Sequence, residues 1–230
     1  QDGDTAGNAG ATNSINRATG FFSAAGLALL RLDTAVQSAV MPSFYRTILV
    51  MSSGQHTEAA RSIHTLEDYM DLISAKSGRF FALATSCGAY CGTKNELVVS
   101  LLDDFGFNVG IFIQIADDYL DWHNPGFANI SSGTPTLPIC FIRSLGTEEQ
   151  QAQLEQLLAR TANFDGQRNR TEIQKLASEV GAEAYMLAEM VRHKVRALAT
   201  LDELDKLSVG SHNTKSLRDW FNRFSAFAPA

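Results

Sequence analysis

The clearest feature of this sequence is the spacing of its apolar residues, which recur every three or four positions along most of the chain. This is the periodicity of a helix with one buried face, and no stretch shows the two-residue alternation of a half-buried strand. Pro42 marks a predicted break, because proline removes a helix hydrogen bond. We therefore predict an all-α protein. Helical spacing extends over 19–50 and is interrupted at Pro42. Further helices are predicted over 44–63, from 65 onward, and over 97–122, 147–162 and 171–201.

Local signals mark where several of these helices begin. Thr65, Thr147 and Thr171 are each followed three residues later by Asp or Gln, which is the spacing of a capping box. Residues 1–16 are instead rich in Gly, Ala, Asn and Asp, and we predict that they form a loop.

The predicted helix over 97–122 carries a pair of glycines in an apolar run. Gly106 and Gly110 are four residues apart and therefore lie on one face of the helix. Because neither has a side chain, another helix can approach this face closely.

The same helix ends in a cluster of carboxylates. Asp117 and Asp121 lie on one face, one turn apart, with Gln114 a turn before them, and Asp118 follows Asp117 directly. Two aligned carboxylates can hold Mg²⁺, which completes its shell with water and with oxygens of a phosphorylated substrate. A solvated acidic face is the alternative, but Asp is a poor helix former and like charges one turn apart repel. The cluster therefore favours a metal site.

Composition narrows the classes of protein further. A chain of 230 residues with 45% apolar and 19% charged residues suits one domain spanning 1–230. The formal net charge of −6 argues against a nucleic-acid partner, since phosphate backbones are bound by clustered Lys and Arg. The sequence has no uninterrupted apolar run of eighteen residues and no basic-then-apolar leader, so we expect a cytoplasmic protein that does not span a membrane.

The segment Gln114 to Asp121 resembles the second aspartate-rich motif of the trans-isoprenyl diphosphate synthases, the polyprenyl synthetase family. Other matches follow in the family's order, namely Gly54-Gln55, Lys76-Ser77 and Thr136-Leu137-Pro138. The resemblance covers nearly the whole chain and identifies it as a divergent member. It implies a helical bundle around a central cavity, in which Mg²⁺ ions held by two aspartate motifs grip the diphosphate of an allylic substrate.

The resemblance also implies roles for individual residues. Asp117, Asp118 and Asp121 would carry Mg²⁺, and Asp2 would complete the other metal site, because it falls where the first aspartate motif ends. Gln114 would orient the first acid or touch the carbocation. The implied catalytic residues are thus Asp117, Asp118, Lys76 and Gln114, and the implied substrate-binding residues are Lys76, Gln55 and Gln114.

The sequence departs from the family pattern at several charged positions. Gly7 and Asn8 stand where the family has an Arg pair, Asn129 replaces an acid, and Thr134 replaces a lysine. Gly7, Asn8 and Thr134 cannot make the charge-assisted bonds that arginine and lysine make to diphosphate oxygens, so we expect weak diphosphate binding. The earlier acids of the first motif and two or three N-terminal helices are expected to lie before residue 1.

Three functions remain open at this point. The first is a Mg²⁺-dependent enzyme that ionises an allylic prenyl diphosphate for prenyl transfer or chain elongation, with isopentenyl diphosphate as the possible second substrate. The second is a terpene-cyclase-like enzyme that uses one prenyl diphosphate. The third is a non-catalytic regulatory subunit of a heteromeric synthase. The resemblance favours a homodimer or a heterodimer.

Overall fold

The computed structural model describes residues 3–60, 63–123, 136–161, 166–207 and 211–225, and these contain helices and no strand. The all-α prediction is confirmed. The helices are α1 (Gly3–Leu29), α2 (Thr34–Ala59), α3 (Leu66–Ile73), α4 (Arg79–Gly92), α5 (Glu96–His123), α6 (Leu137–Leu145), α7 (Glu148–Thr161), α8 (Gly166–Val180), α9 (Ala182–Lys206) and α10 (Ser211–Phe224). A π-helical turn, Ser74–Gly78, joins α3 to α4.

The chain divides into two compact units, Gln1–Tyr45 and Arg46–Ala230. In the first unit, the ring of Phe22 stacks on that of Phe44 with centroids 5.8 Å apart, and Tyr45 meets both rings edge-on. These contacts join α1 to the first half of α2. The prediction of one domain over 1–230 stays a prediction.

Two predictions about the first unit are wrong. The loop predicted over 1–16 is helical from Gly3, because the segment lacks proline and continues the apolar helix that follows it. Extending a helix costs far less than nucleating one, so weak helix formers are tolerated there. The break predicted at Pro42 instead falls at 30–33, and Pro42 lies inside α2.

The second unit is organised around α5, which is buried along most of its length. Phe105, Phe112, Ile115 and Trp122 of this helix are each at most 1% exposed. Burying a side chain of this size stabilises a fold by roughly 1.5–3 kcal/mol. Helices α4 and α9 pack along α5, and Phe221 of α10 meets the Phe105 and Phe112 rings edge-on. The predicted helix over 97–122 is confirmed, with the observed helix one residue longer at each end.

The close approach predicted at the two glycines of α5 is confirmed. A Cβ atom on Gly106 would overlap the backbone carbonyl of Phe81 in α4, and one on Gly110 would overlap the carbonyl of Ser77 in the π-helical turn. The backbones of α5 and of the turn are therefore in direct contact. This contact fixes the position of Ser77 along the axis of α5.

Two of the three predicted capping boxes are present. Thr65 and Asp68 exchange side-chain and backbone hydrogen bonds at the start of α3, and Thr147 and Gln150 do so before α7. The box predicted at Thr171 is wrong, because α8 already begins at Gly166. The long helix predicted over 171–201 is divided at Gly181, whose φ of 89° is in the left-handed region that favours glycine.

Helix α5 is long and apolar enough to cross a membrane by length and composition alone. Half of its most apolar 18-residue stretch is buried within the fold. The core helix of a soluble protein can be equally long and apolar. The expectation that the chain does not span a membrane stays a prediction.

Candidate functional site

The last two turns of α5 present two carboxylates to solvent. Asp117 is exposed and Asp121 is half-buried, and one helical turn separates them. Partial burial, together with the negative charge of Asp121, raises the pKa of Asp117. A cation bound between the two side chains would relieve this repulsion.

Asp118 has a different environment from the one predicted. Its Oδ2 accepts a hydrogen bond from the hydroxyl of buried Tyr69 at 2.8 Å and another from the backbone N–H of Leu137 at 3.0 Å. Burial raises the pKa of Asp118 to about 6, and the hydrogen bonds from Leu137, Tyr69 and Gln114 oppose that rise. This carboxylate is therefore directed into the protein. The geometry makes it a link between helices, and the metal role predicted for it stays a prediction.

The two bonds to Asp118 join three helices. Leu137 is the first residue of α6, and the side chain of Thr136, which precedes it, makes no capping hydrogen bond. The Asp118 carboxylate accepts the orphan N–H instead, and its negative charge suits the positive end of the α6 dipole. Tyr69 brings α3 to the same carboxylate, so one acid fixes α3 and α6 against α5.

Gln114 connects the acidic helix to the π-helical turn. Its side-chain oxygen accepts a hydrogen bond from the Ser77 hydroxyl at 2.8 Å, and its amide bonds to Asp118. Both ends of this side chain are therefore engaged within the protein. The acid that Gln114 contacts is Asp118, whereas the predicted role was to orient the first acid, Asp117, or to touch the carbocation, and that role stays a prediction.

Lys76 lies in the π-helical turn and is held by an acid from α2. Its ammonium group is 2.5 Å from Oε2 of Glu58, and the side chains of Lys76 and Glu58 are 29% and 21% exposed. Gln55, one turn earlier in α2, donates from Nε2 to the same carboxylate oxygen at 2.8 Å. Two of the three residues predicted to bind substrate, Lys76 and Gln55, thus share one partner, Glu58. π-Helical turns occur often at functional sites.

The structure therefore brings the predicted residues into two groups, one around Asp117 and Asp121 and one around Lys76 and Gln55. The hydrogen bond between Ser77 and Gln114 links the elements that carry them. Asp2, the remaining predicted ligand, lies outside the described residues, as do Asn129 and Thr134.

Sequence reasoning missed Tyr69 as a part of this arrangement. It lies seven residues before Lys76, a spacing that puts two residues on one side of a regular α-helix and could have drawn attention to it. Its partner Asp118 is 49 residues away, and no sequence pattern shows that contact.

The carboxylates of Asp117 and Asp121 suit Mg²⁺ better than a metal held entirely by protein ligands. Among the residues that the structure describes, no group of three or more His, Cys, Asp or Glu side chains could hold a metal ion by itself. Asp117 and Asp121 supply two carboxylates, and Mg²⁺ typically takes one or two carboxylates and completes its shell with water and substrate phosphates. The site suits a cation that arrives with a phosphorylated ligand, and it does not suit an all-protein cage.

Comparison with known proteins settles the family. The sequence profile described as Polyprenyl synthetase matches residues 5–178, which include both groups of site residues. The chain belongs to the polyprenyl synthetase family. The resemblance to the trans-isoprenyl diphosphate synthases is thereby confirmed.

Among the relatives of this family member is a geranylgeranyl diphosphate synthase of Sulfolobus acidocaldarius. The two are 31% identical over 118 residues, which are 47% of this chain and 36% of the relative. A tryptophan prenyltransferase, ComQ of Bacillus spizizenii, is 21% identical over 180 residues, which are 76% of this chain and 64% of that protein. The match spans less than half the length of the first curated relatives.

Solved structures confirm the isoprenyl synthase helical fold of this family member. The crystal structure of a polyprenyl synthetase from Streptomyces coelicolor A3(2) aligns with a TM-score of 0.76 and 21% sequence identity. The alignment covers 92% of this chain and 65% of that one. At this identity the likeness establishes the fold alone.

Proposed function

We propose that the protein is a Mg²⁺-dependent prenyltransferase that ionises an allylic prenyl diphosphate and passes the prenyl group to an acceptor. The observation that carries this proposal is the paired carboxylates of Asp117 and Asp121 on a helix that Gln114 and Ser77 connect to the turn bearing Lys76. Acids for a metal and a cation for a diphosphate are thus carried by two elements in backbone contact.

Members of this family use divalent metal ions. When bound, Mg²⁺ would neutralise the charge that develops on the departing diphosphate. Asp117 and Asp121 would hold it, and their mutual repulsion without a cation favours its binding. The Lys76 ammonium would add a second positive charge to the same leaving group, as electrostatic stabilisation of a transition state requires.

The reaction breaks the bond between the allylic carbon and the diphosphate oxygen, and the electron pair leaves with the diphosphate. The resulting allylic cation is attacked by an electron pair of the acceptor, which forms the new carbon–carbon bond and afterwards loses a proton. The chain must hold the leaving group and exclude water from the cation. Asp118, which is directed into the protein, would take part only by fixing the helices around it.

Glu58 restricts the mobility of the Lys76 ammonium group and reduces its net positive charge. It holds the Lys76 ammonium in one place, which saves the entropy of ordering a long side chain when substrate binds. It also neutralises part of the positive charge. A diphosphate would therefore have to share or displace the ammonium from Glu58, which agrees with the weak diphosphate binding predicted from Gly7, Asn8 and Thr134.

An acceptor other than isopentenyl diphosphate is a second candidate. Chain elongation requires the binding of two diphosphates at once, and the sequence has lost three basic positions that serve this purpose in the family. The tryptophan prenyltransferase relative matches more of this chain than the Sulfolobus synthase does. Both observations support transfer to an acceptor that carries no diphosphate, such as an indole side chain.

Product analysis tests the proposal. The protein is incubated with Mg²⁺ and geranyl, farnesyl or geranylgeranyl diphosphate, alone, with isopentenyl diphosphate, or with a tryptophan-containing peptide, and products are identified by mass spectrometry. Longer diphosphates that require isopentenyl diphosphate would establish elongation, and a prenylated peptide would establish the second candidate. Hydrocarbons or alcohols formed without an acceptor would indicate a cyclase-like enzyme. Absence of turnover under every condition would contradict both candidates and favour a regulatory subunit.

A further inference from the structure

The C-terminal end of α5, directly after the acidic motif, is bound by side chains from α8. Nη2 of Arg170 donates to the backbone carbonyl of Trp122 at 3.0 Å and lies 3.4 Å from the carbonyl of Asp121. Nε2 of Gln174, one turn further along α8, donates to the Trp122 carbonyl at 2.5 Å. The carbonyls at a helix end have no partner within the helix, so these contacts satisfy groups that would otherwise need water.

The Trp122 side chain is held from another direction. Its indole is 1% exposed, and Nε1 donates to Oε1 of Glu183 in α9 at 3.1 Å. Both the backbone and the side chain of the residue after Asp121 are therefore fixed. Two neighbouring helices together determine where the last turn of α5 lies.

The charge on Arg170 suits this place. The C-terminal end of a helix carries partial negative charge, and in α5 this adds to the negative charges of Asp117 and Asp121. Arg170 is 6% exposed, so its guanidinium acts at close range with little screening by water. A hydrocarbon side chain could fill the same volume, but it could neither bind the carbonyls nor offset the charge of the acids.

We propose that Arg170 is a positioning residue of the metal site, acting on Asp121 through the backbone carbonyls of Asp121 and Trp122. This inference rests on the proposed function of Asp117 and Asp121 as the metal-binding pair. By fixing the last turn of α5, Arg170 keeps the Asp121 carboxylate in register with that of Asp117. In this role Arg170 would act through the backbone of α5 and not as a ligand of the metal.

The test measures metal binding independently of turnover. The chain has two tryptophans, and Trp122 is next to Asp121. In a Trp220→Phe background, Trp122 fluorescence is followed while Mg²⁺ is added in the presence of inorganic pyrophosphate. We expect Arg170→Met to raise the half-saturating Mg²⁺ concentration about tenfold, the lower end of the effect of removing a group that orients a metal ligand. Arg170→Lys keeps the charge and should recover part of the loss.

Arg143→Met is the matched control. Arg143 also joins two helices, through a hydrogen bond of 2.8 Å to Glu155, but it makes this contact in α6 and α7. Its removal should leave the half-saturating Mg²⁺ concentration unchanged. Gln174→Leu removes one donor to the Trp122 carbonyl and retains the guanidinium, so we expect a smaller increase, about threefold. This variant and Arg170→Lys test the inference even if Arg170→Met does not fold.

The outcomes separate this inference from the proposed function. No fluorescence response to Mg²⁺ and pyrophosphate in the otherwise wild-type protein would contradict the proposed function, and this inference with it. A normal response that Arg170→Met, Arg170→Lys and Gln174→Leu leave unchanged would contradict the role of Arg170 alone. A role in stability only would lower the melting temperature of the Arg170 variants without changing their half-saturating Mg²⁺ concentration.

Discussion

At the scale of single residues, two adjacent acids in α5 have opposite environments. Successive residues on a helix point about 100° apart, so a pair of neighbouring aspartates cannot face one ligand in the same way. Asp117 is exposed beside Asp121, while Asp118 accepts hydrogen bonds from Tyr69 and Leu137. One acid is available to a cation, and its neighbour holds the helices around it.

Tyr69→Phe tests the structural role of Asp118. The substitution removes the hydroxyl that bonds to the half-buried carboxylate and changes little else, because the ring is retained. We expect the free energy of unfolding to fall by about 1–3 kcal/mol, the cost of leaving a buried acceptor short of a donor. Urea denaturation measures this change.

Tyr90→Phe is the control for that experiment. It also removes a hydrogen bond from a tyrosine to a carboxylate, that of Glu96 at 3.3 Å, but in an exposed position. The change in unfolding free energy should stay within about 0.5 kcal/mol. Equal effects of the two substitutions would mean that the bond to Asp118 does not fix the fold.

The buried His193 should make the stability of the protein depend on pH. It is 4% exposed on α9, and Nδ1 is 2.8 Å from Oδ1 of Asn108 in α5. Burial, and then the charges of Arg192 and Arg196, lower the pKa of His193 from 6.5 to about 4. The unfolded chain therefore binds a proton at a higher pH than the folded one. Stability from the neutral ring is fully present above pH 6.5 and is lost as the pH falls towards 4.

The size of this loss should approach roughly 3 kcal/mol at the acid end of the range. His193→Gln should flatten the dependence of unfolding free energy on pH between 6.5 and 4, because it removes the titrating group. Replacing the exposed His64 by Gln serves as the control for a histidine-to-glutamine substitution outside the core. An identical pH profile in His193→Gln and wild-type protein would show that this histidine is not held neutral.

At the scale of elements, the contact between α5 and the π-helical turn determines where the site residues lie. Gly110→Ala places a Cβ against the Ser77 carbonyl, and the two backbones must separate. We expect a loss of about 1–3 kcal/mol in unfolding free energy, as for overpacking elsewhere, despite the better helix propensity of alanine. The hydrogen bond from Ser77 to Gln114 should weaken with it.

Gly88→Ala provides a matched comparison within α4. A Cβ at Gly88 meets no atom within 4 Å, so only the helix propensity changes. This variant should be stabilised by up to about 1 kcal/mol. If thermal and urea unfolding show that Gly110→Ala is also stabilised, the contact between α5 and the turn is looser than described.

The elements differ in how well the sequence predicted them. Strong apolar periodicity determined α5, and the capping boxes at Thr65 and Thr147 marked the starts of α3 and α7, because these signals are local. The loop over 1–16 and the break at Pro42 were wrong, because weak helix formers and a proline were outweighed by neighbouring helical turns. The π-helical turn had no recognisable signal, since it depends on contact with Gly110.

At the scale of the whole molecule, the sequence was sufficient to propose candidate site residues but not to predict their contacts. The order of Gln55, Lys76 and Gln114 along the chain was sufficient to propose them. The pairing of Lys76 with Glu58, of Asp118 with Tyr69 and of Arg170 with the end of α5 depends on tertiary packing across 18 to 49 residues. No periodicity within one helix contains that information.

The most direct test of the account is the Mg²⁺-dependent release of diphosphate from farnesyl or geranylgeranyl diphosphate, measured for wild-type, Asp117→Asn, Asp121→Asn and Asp104→Asn proteins. Asp104 is an exposed acid on the same helix and serves as the control. We expect the first two variants to lose at least about a hundredfold in rate, as when a group stabilising the transition state is removed, and the control to match wild type. Wild-type release by Asp117→Asn and Asp121→Asn would contradict the metal role assigned to this pair.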